Sequence, residues 1–144
     1  MSRSGALDRI DALLGTVSDP AFGAVVRGEP LSIARTPTVA FWVTSREVSF
    51  MTLKDVSSFT GITIRAYFRM QISQDVRENS ELDIWDAMVN IDTALRGDSD
   101  LAGNVADIRI EQAVTGYIEI GGVAYRTLDI PLTLEIMSEV TITA

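Results

Sequence analysis

The chain has 144 residues, 47% of them hydrophobic, which is enough for one core and too few for two independent ones. Its net charge of −8 repels phosphate backbones and disfavours nucleic-acid binding by counterion release. It has no cysteine and no histidine, which excludes disulfides, thiolate nucleophiles, Cys/His zinc sites and the commonest general base at neutral pH.

No apolar run approaches the roughly 20 residues of a membrane-spanning helix. Charges at Arg3, Asp8, Arg9 and Asp11 interrupt the N-terminus, which lacks the apolar centre of a secretion signal. The expectation is a chain made in the cytoplasm, with no membrane partner. Leu7, Ile10, Leu14 and Val17 recur at helical spacing and predict a first helix over Ser4 to Val17, with Ser4 as its cap. The stretch "AFGAVVRGEPLSIARTP" is punctuated by Gly and Pro and reads as a loop with short extended pieces. In "TVAFWVT" both alternating sets are apolar, which predicts a strand covered on two sides. The following "SREVSFMTLKDVSSFTG" is mixed and reads as a flexible or oligomer-contacting arm carrying Arg46 and Lys54.

"ITIRAYFRMQIS" alternates cleanly. Ile62, Ile64, Ala66, Phe68 and Met70 form one face, and Thr63, Arg65, Tyr67, Arg69 and Gln71 the other. Arg65 and Arg69 then stand about 13 Å apart on one face. Three readings are open for them: a solvated sheet face, a salt-bridge surface for acidic residues of a neighbouring subunit, or a phosphate site. A second helix follows, capped by Ser80 with Asp83 three residues on, and ended by Gly97. Ile84, Met88, Ile91 and Leu95 form its apolar stripe, flanked by Trp85 and Val89, and Trp85 and Met88 read as core residues.

From Gly103 to Ile136 the chain reads as one long hairpin turning at Gly121-Gly122. Pro131 cannot donate to a ladder, so the last strand is expected at a sheet edge or bulged there. A long edge strand around Asp129 to Glu135 invites pairing with another chain. The residues 138–144 form a tail with strand-like alternation. The order helix, strand, strand, helix, strand, strand predicts an α+β fold: a largely antiparallel sheet of about four strands packed by two main helices, as a single domain over 1–144.

Chemistry is sparse. Asp98 and Asp100 are spaced like the first two ligands of a calcium loop, but the later ligands and closing Glu are missing. No phosphate loop is present, and no His or Lys stands by to activate Ser45. No catalytic, cofactor-binding or metal-binding residue is assigned, and an enzyme is not expected.

The segment "ALRGDSDLAGNVADIRI", followed by a hairpin with "YRTLDIPLTLEI", resembles the tail terminator (tail completion) proteins of long-tailed bacteriophages. The shared pattern L-R-G-D-x-x-L-x-G-x-V covers Leu95 to Val105. The likeness is strongest over Ile84 to Ile136, and the first half matches in element order and size. The resemblance implies a virion protein at the head-proximal end of the tail. There it would form a homohexameric ring that stops the tail tube protein from polymerising and meets the head-tail connector or stopper protein. DNA would pass through the lumen without specific binding. No catalytic residue or cofactor is carried over. The residues expected at subunit or partner contacts are Arg65, Arg69, Arg46, Lys54, Asp129 and Glu135.

Overall fold

The computed structural model describes residues 2–51, 55–70 and 74–139. Ser2 starts the first helix: its Oγ accepts from the Gly5 amide at 3.1 Å, satisfying one orphan donor of helix α1, Arg3–Gly15. The cap therefore precedes the expected Ser4. Thr16 closes the last turn by donating to Leu13 O through its amide and its Oγ1. Ala6, Ile10, Leu13 and Leu14 form the buried face.

The strands are β1 Ala24–Arg27, β2 Thr38–Met51, β3 Asp55–Arg69, β4 Asp107–Ile110, β5 Val114–Ile120 and β6 Val123–Glu139. Helix α2, Gln74–Arg96, falls between β3 and β4. Its sequence-expected cap, Ser80, lies inside the helix, which begins at least six residues earlier. The fold class is α+β, as expected, but the sheet is larger and mixed. Among the described residues six strands run in the order β1-β2-β3-β6-β4, with β5 also on β6.

Three differences from the sequence reading account for this. The Gly/Pro-punctuated stretch contains β1, which pairs parallel to β2 from Ala24↔Thr38 to Arg27↔Phe41. Of the stretch expected as a flexible or oligomer-contacting arm, residues 45–51 and 55–61 continue β2 and β3 as a paired ladder with two register shifts, and 52–54 lie outside the described residues. Those bulges spoil strict alternation, which is why the pattern read as irregular. The first half of the expected hairpin breaks at residues 111–113 into β4 and β5.

The last strand is not an edge. β6 pairs with β3 on one side and with β4 and β5 on the other. Pro131 is tolerated because its missing donor points at the break between β4 and β5. There its carbonyl accepts from Glu111 N at 2.9 Å and no amide is required of it. The Gly121-Gly122 turn is as expected, with φ of 59° and 81°, values that suit glycine in a two-residue hairpin.

Both helices lie on one face of the sheet. Val39, Phe41, Ile62, Ile64, Ala66, Phe68, Leu128, Ile130, Leu132 and Leu134 meet Ile10, Leu14, Ile84, Ile91 and Leu95 there. The opposite face is covered in part. Ile33, from the loop between β1 and β2, packs with Val26 on Ala40, Tyr67 and Tyr125. β2 is thus buried on both faces at Val39, Ala40 and Phe41, as its sequence predicts, but Val43 is already 55% exposed. Of the expected tail 138–144, Ser138 and Glu139 continue β6 opposite Val56 and Asp55, and 140–144 lie outside the described residues.

Candidate functional site

The side of the sheet away from the helices carries the expected contact residues Arg65 and Asp129. They face each other on β3 and β6. Arg65 donates to both carboxylate oxygens, Nε to Oδ1 at 2.6 Å and Nη2 to Oδ2 at 2.9 Å. The guanidinium also lies 5.3 Å from the Trp42 ring centroid. Asp129, followed by the pair's mutual attraction, holds the Arg65 pKa above its ordinary value against partial burial. Burial raises the neighbouring Tyr67 phenol, and Arg65 acts in the opposite direction. Arg65 thus has its carboxylate partner within its own chain.

The remaining expected residues are dispersed. Arg69 is exposed at the end of β3, opposite Tyr125. Arg46 is exposed on β2 opposite Thr60, which in turn faces the buried Leu134, so it lies on the helix side of the sheet. Glu135 sits inside the sheet, between Phe59 of β3 and Asp107 of β4, and its carbonyl accepts from Ala106 N at 2.8 Å. Lys54 lies outside the described residues. Arg65 and Asp129 form a unit, and the other described residues do not join it.

A surface that the sequence reading missed lies on α2. Trp85, expected in the core, is 69% exposed, with Leu82 at 59% and Val89 at 50%. Spacings of three and four place them on one helical stripe, turned more than 100° from the buried stripe Ile84, Ala87, Ile91 and Leu95. That second stripe is legible in the sequence. It reads as core only if one assumes that every apolar helix residue faces inward.

Trp85, Met88 and Val89 flank an open groove of about 360 Å³ that runs between α2 and the β4–β5 break. Ile110, Glu111, Ala113 and Ile130 line it on the sheet side, and Asp92 and Thr93 on the helix side. Nearby, Arg126 is held by Glu81 and stacks 5.2 Å from the Tyr117 ring centroid.

The Leu95–Val105 segment, which carries the family resemblance, performs packing. Leu95, Leu101 and Val105 are buried. Leu101 and Ala102 take positive φ, 48° and 58°, and Gly103 follows at 82°. This left-handed run is held by hydrogen bonds. Asp98 Oδ1 accepts from Ala102 N at 3.1 Å, and Asn104 Nδ2 donates to Leu101 O at 2.8 Å. Asp98 is also engaged by Arg9 Nε at 2.5 Å. That contact, then the Ala102 amide, lowers its pKa. The two aspartates considered for calcium thus belong to a loop that plugs the core. Among the described residues no three carboxylates gather at metal-binding distance, and no helix is long and apolar enough to cross a membrane.

Comparison with protein-family models and with curated proteins gives no match.

Proposed function

We propose that the protein is a structural subunit of a phage-type tail. In this reading it assembles as a ring at the head-proximal end of the tail tube, ends tube growth and joins the tail to the head connector, while DNA passes through an acidic lumen. The sequence resemblance over Leu95 to Val105 and the following hairpin supplies the class. The structural observation that supports it is a pair of surfaces that no other element covers among the described residues. One is the outer edge of β2 beyond Phe41, where β1 ends. The other is the apolar stripe Leu82, Trp85 and Val89. Exposed apolar stripes rimmed by polar residues mark contact with other macromolecules. The acidic net charge suits a channel that lets a polyanion slide without sticking.

Immunogold electron microscopy of purified particles and isolated tails tests the reading. Label at the head-proximal tail end is the expected result. Label at the head, elsewhere in the neck or on the baseplate would make it a different virion subunit. Absence of the chain from disrupted particles by mass spectrometry would overturn the virion reading.

The α2 groove favours a second reading, a small-molecule-binding domain, because its volume falls in the range of ligand sites. A shift in melting temperature of the lone chain with a soluble ligand would support that reading.

A further inference from the structure

We infer that residues 29–34, between β1 and β2, form a strap that lifts off the sheet as a unit while the rest of the fold stays closed, and so uncovers Tyr67 and Tyr125. The inference does not depend on where the protein sits in a particle.

On the face of the sheet away from the helices, Ala40, Tyr67 and Tyr125 form a buried cluster. Of the partly buried apolar side chains packed against it, four stand on β1, β2 and β5, and Ile33 comes from outside the sheet. Side chains of one sheet stand side by side and shield each other's flanks. Covering their tops takes a residue from elsewhere, and in this cluster that residue is Ile33. Thr38 and Thr127 pair with Tyr67 from either side and are buried in the same row.

The strap is tied at its ends and free between them. At one end Gly28 N donates to Phe41 O at 2.8 Å. Gly28 holds a φ of 95°, with open space where a Cβ would stand, so glycine serves there as an unstrained hinge. At the other end Thr38 Oγ1 donates to Arg35 O at 2.5 Å, and Gly23 N donates to Pro37 O at 2.8 Å. The Arg35 side chain lies close on Gly23, where a Cβ would come within 3.1 Å of it. From Glu29 to Ala34 no hydrogen bond or ion pair joins the strap to the other described residues.

What holds the strap down is therefore partial burial. Pro30 and Ile33 are half-buried, Leu31 is 94% exposed, and Glu29, Ser32 and Ala34 are exposed. A segment with few buried contacts and no backbone hydrogen bonds opens at a free energy well below that of global unfolding. The residues beneath it are anchored differently. Tyr67 lies on β3 between β2 and β6, and Tyr125 lies on β6 between β3 and β5, so both stay in place when the strap lifts. Burial is the first cause of the raised Tyr67 pKa, and Glu29 is among the lesser ones, so the strap's own charge reaches the phenol it covers. Lifting the strap opens two phenols to water beside the Arg65 guanidinium and leaves Ile33 free with Leu31. Aromatic rings with an arginine are the composition of a contact surface, and the closed strap occludes it.

Three tyrosines make the test internal. Tyr117 is 67% exposed, Tyr67 1% and Tyr125 7%. Nitration with tetranitromethane at mildly alkaline pH, mapped by peptide mass spectrometry in rising urea below the unfolding transition, reads the opening. Tyr117 should react first. Tyr67 and Tyr125 should follow more slowly, at rates that urea scarcely changes, because a local opening exposes little surface. Ile33→Ser should raise both rates at least tenfold and leave Tyr117 unchanged, the change that about 1.4 kcal/mol of lost burial makes.

Rates at Tyr67 and Tyr125 that climb with urea in step with global unfolding overturn the inference, since the cover then opens only with the fold. No reaction at either phenol below the transition has the same meaning. So do phenols that react as fast as Tyr117, or that a folded Ile33→Ser leaves as slow as before. The urea dependence needs no variant and decides the matter should Ile33→Ser fail to fold by circular dichroism. Absence of the chain from particles would overturn the proposed function and leave the strap standing.

Discussion

Arg65 and Asp129 close a two-hydrogen-bond pair across β3 and β6, at 2.6 and 2.9 Å, with Trp42 packed on the guanidinium. The side chains keep 22% and 32% of their exposure, so water screens the pair in part. Removing one partner leaves a half-buried charge without its acceptor. Asp129→Ala is expected to cost about 1–3 kcal/mol in urea unfolding. The Arg65→Met/Asp129→Leu double variant should recover most of that loss, because neither charge is left behind.

Trp85 and Leu95 lie on the same helix and should differ sharply. Leu95 is fully buried and Trp85 is 69% exposed. Leu95→Ala is expected to lower stability by about 2–5 kcal/mol, with a cavity in the core. Trp85→Gln should change the stability of the monomer by less than about 0.5 kcal/mol, as a surface substitution. Thermal unfolding at low protein concentration separates the two. A loss of several kcal/mol at Trp85 would place it in the core.

Leu101 tests the plugging loop. It is buried and holds a left-handed φ of 48°. Leu101→Ala should cost about 3 kcal/mol through the cavity. Ala102→Gly, at φ 58° and exposed, should be neutral or slightly stabilising, because glycine adopts that conformation without strain. Chemical denaturation of both variants checks the pair.

Gly5 sits against Asn104, and a Cβ at position 5 would overlap the Asn104 side-chain amide. That amide donates to Leu101 O at 2.8 Å. Gly5→Ala adds about 1 kcal/mol of helix propensity but displaces a hydrogen bond of similar worth, so it is expected to be neutral or destabilising. In an Asn104→Ala background the overlap is gone. There the same change should stabilise by about 0.5–1 kcal/mol. The reversal of sign, measured as a double-mutant cycle, is the diagnostic result.

Asp98 sets an acid limb of stability. Arg9, then the Ala102 amide, lowers its pKa from the ordinary 3.8. A carboxylate with a depressed folded pKa contributes stability that is fully present above the unfolded value. That contribution is lost as pH falls through the folded value. Asp98→Asn should therefore lower stability at pH 7 and flatten its fall below about pH 4. Asp83 has the opposite sign. Burial, then Asp86 and Asp19, raises its pKa, so its charge opposes folding at neutral pH. Asp83→Asn should raise stability at pH 7. Melting temperatures from pH 2 to pH 7 test both.

Strict periodicity is legible in the residues alone. The alternation from Ile62 to Phe68 defines a strand with one buried face, and the structure buries Ile62, Ile64, Ala66 and Phe68 together. Gly121-Gly122 determined the hairpin turn, since few residues other than glycine accept both φ values. The Ile84, Ile91 and Leu95 stripe determined the buried face of α2. These are short-range consequences of side-chain direction, and each is complete within a dozen residues.

Tertiary structure alone decided what lies beside each strand. Nothing local to Pro131 says that its missing donor will meet a break between two strands rather than open solvent. Nothing local to β2 says that its bulges will pair in register with β3 through Val56. For Arg65 the sequence leaves a solvated face, a neighbour's acid and a phosphate open, and the structure pairs it with an aspartate 64 residues away in its own chain. Trp85 reads as core in the sequence, and among the described residues no helix or strand arrives to cover it. Pairing and coverage depend on which segments the whole chain brings alongside. That is settled by the summed burial and hydrogen bonding of the sheet, a quantity no single window of sequence contains.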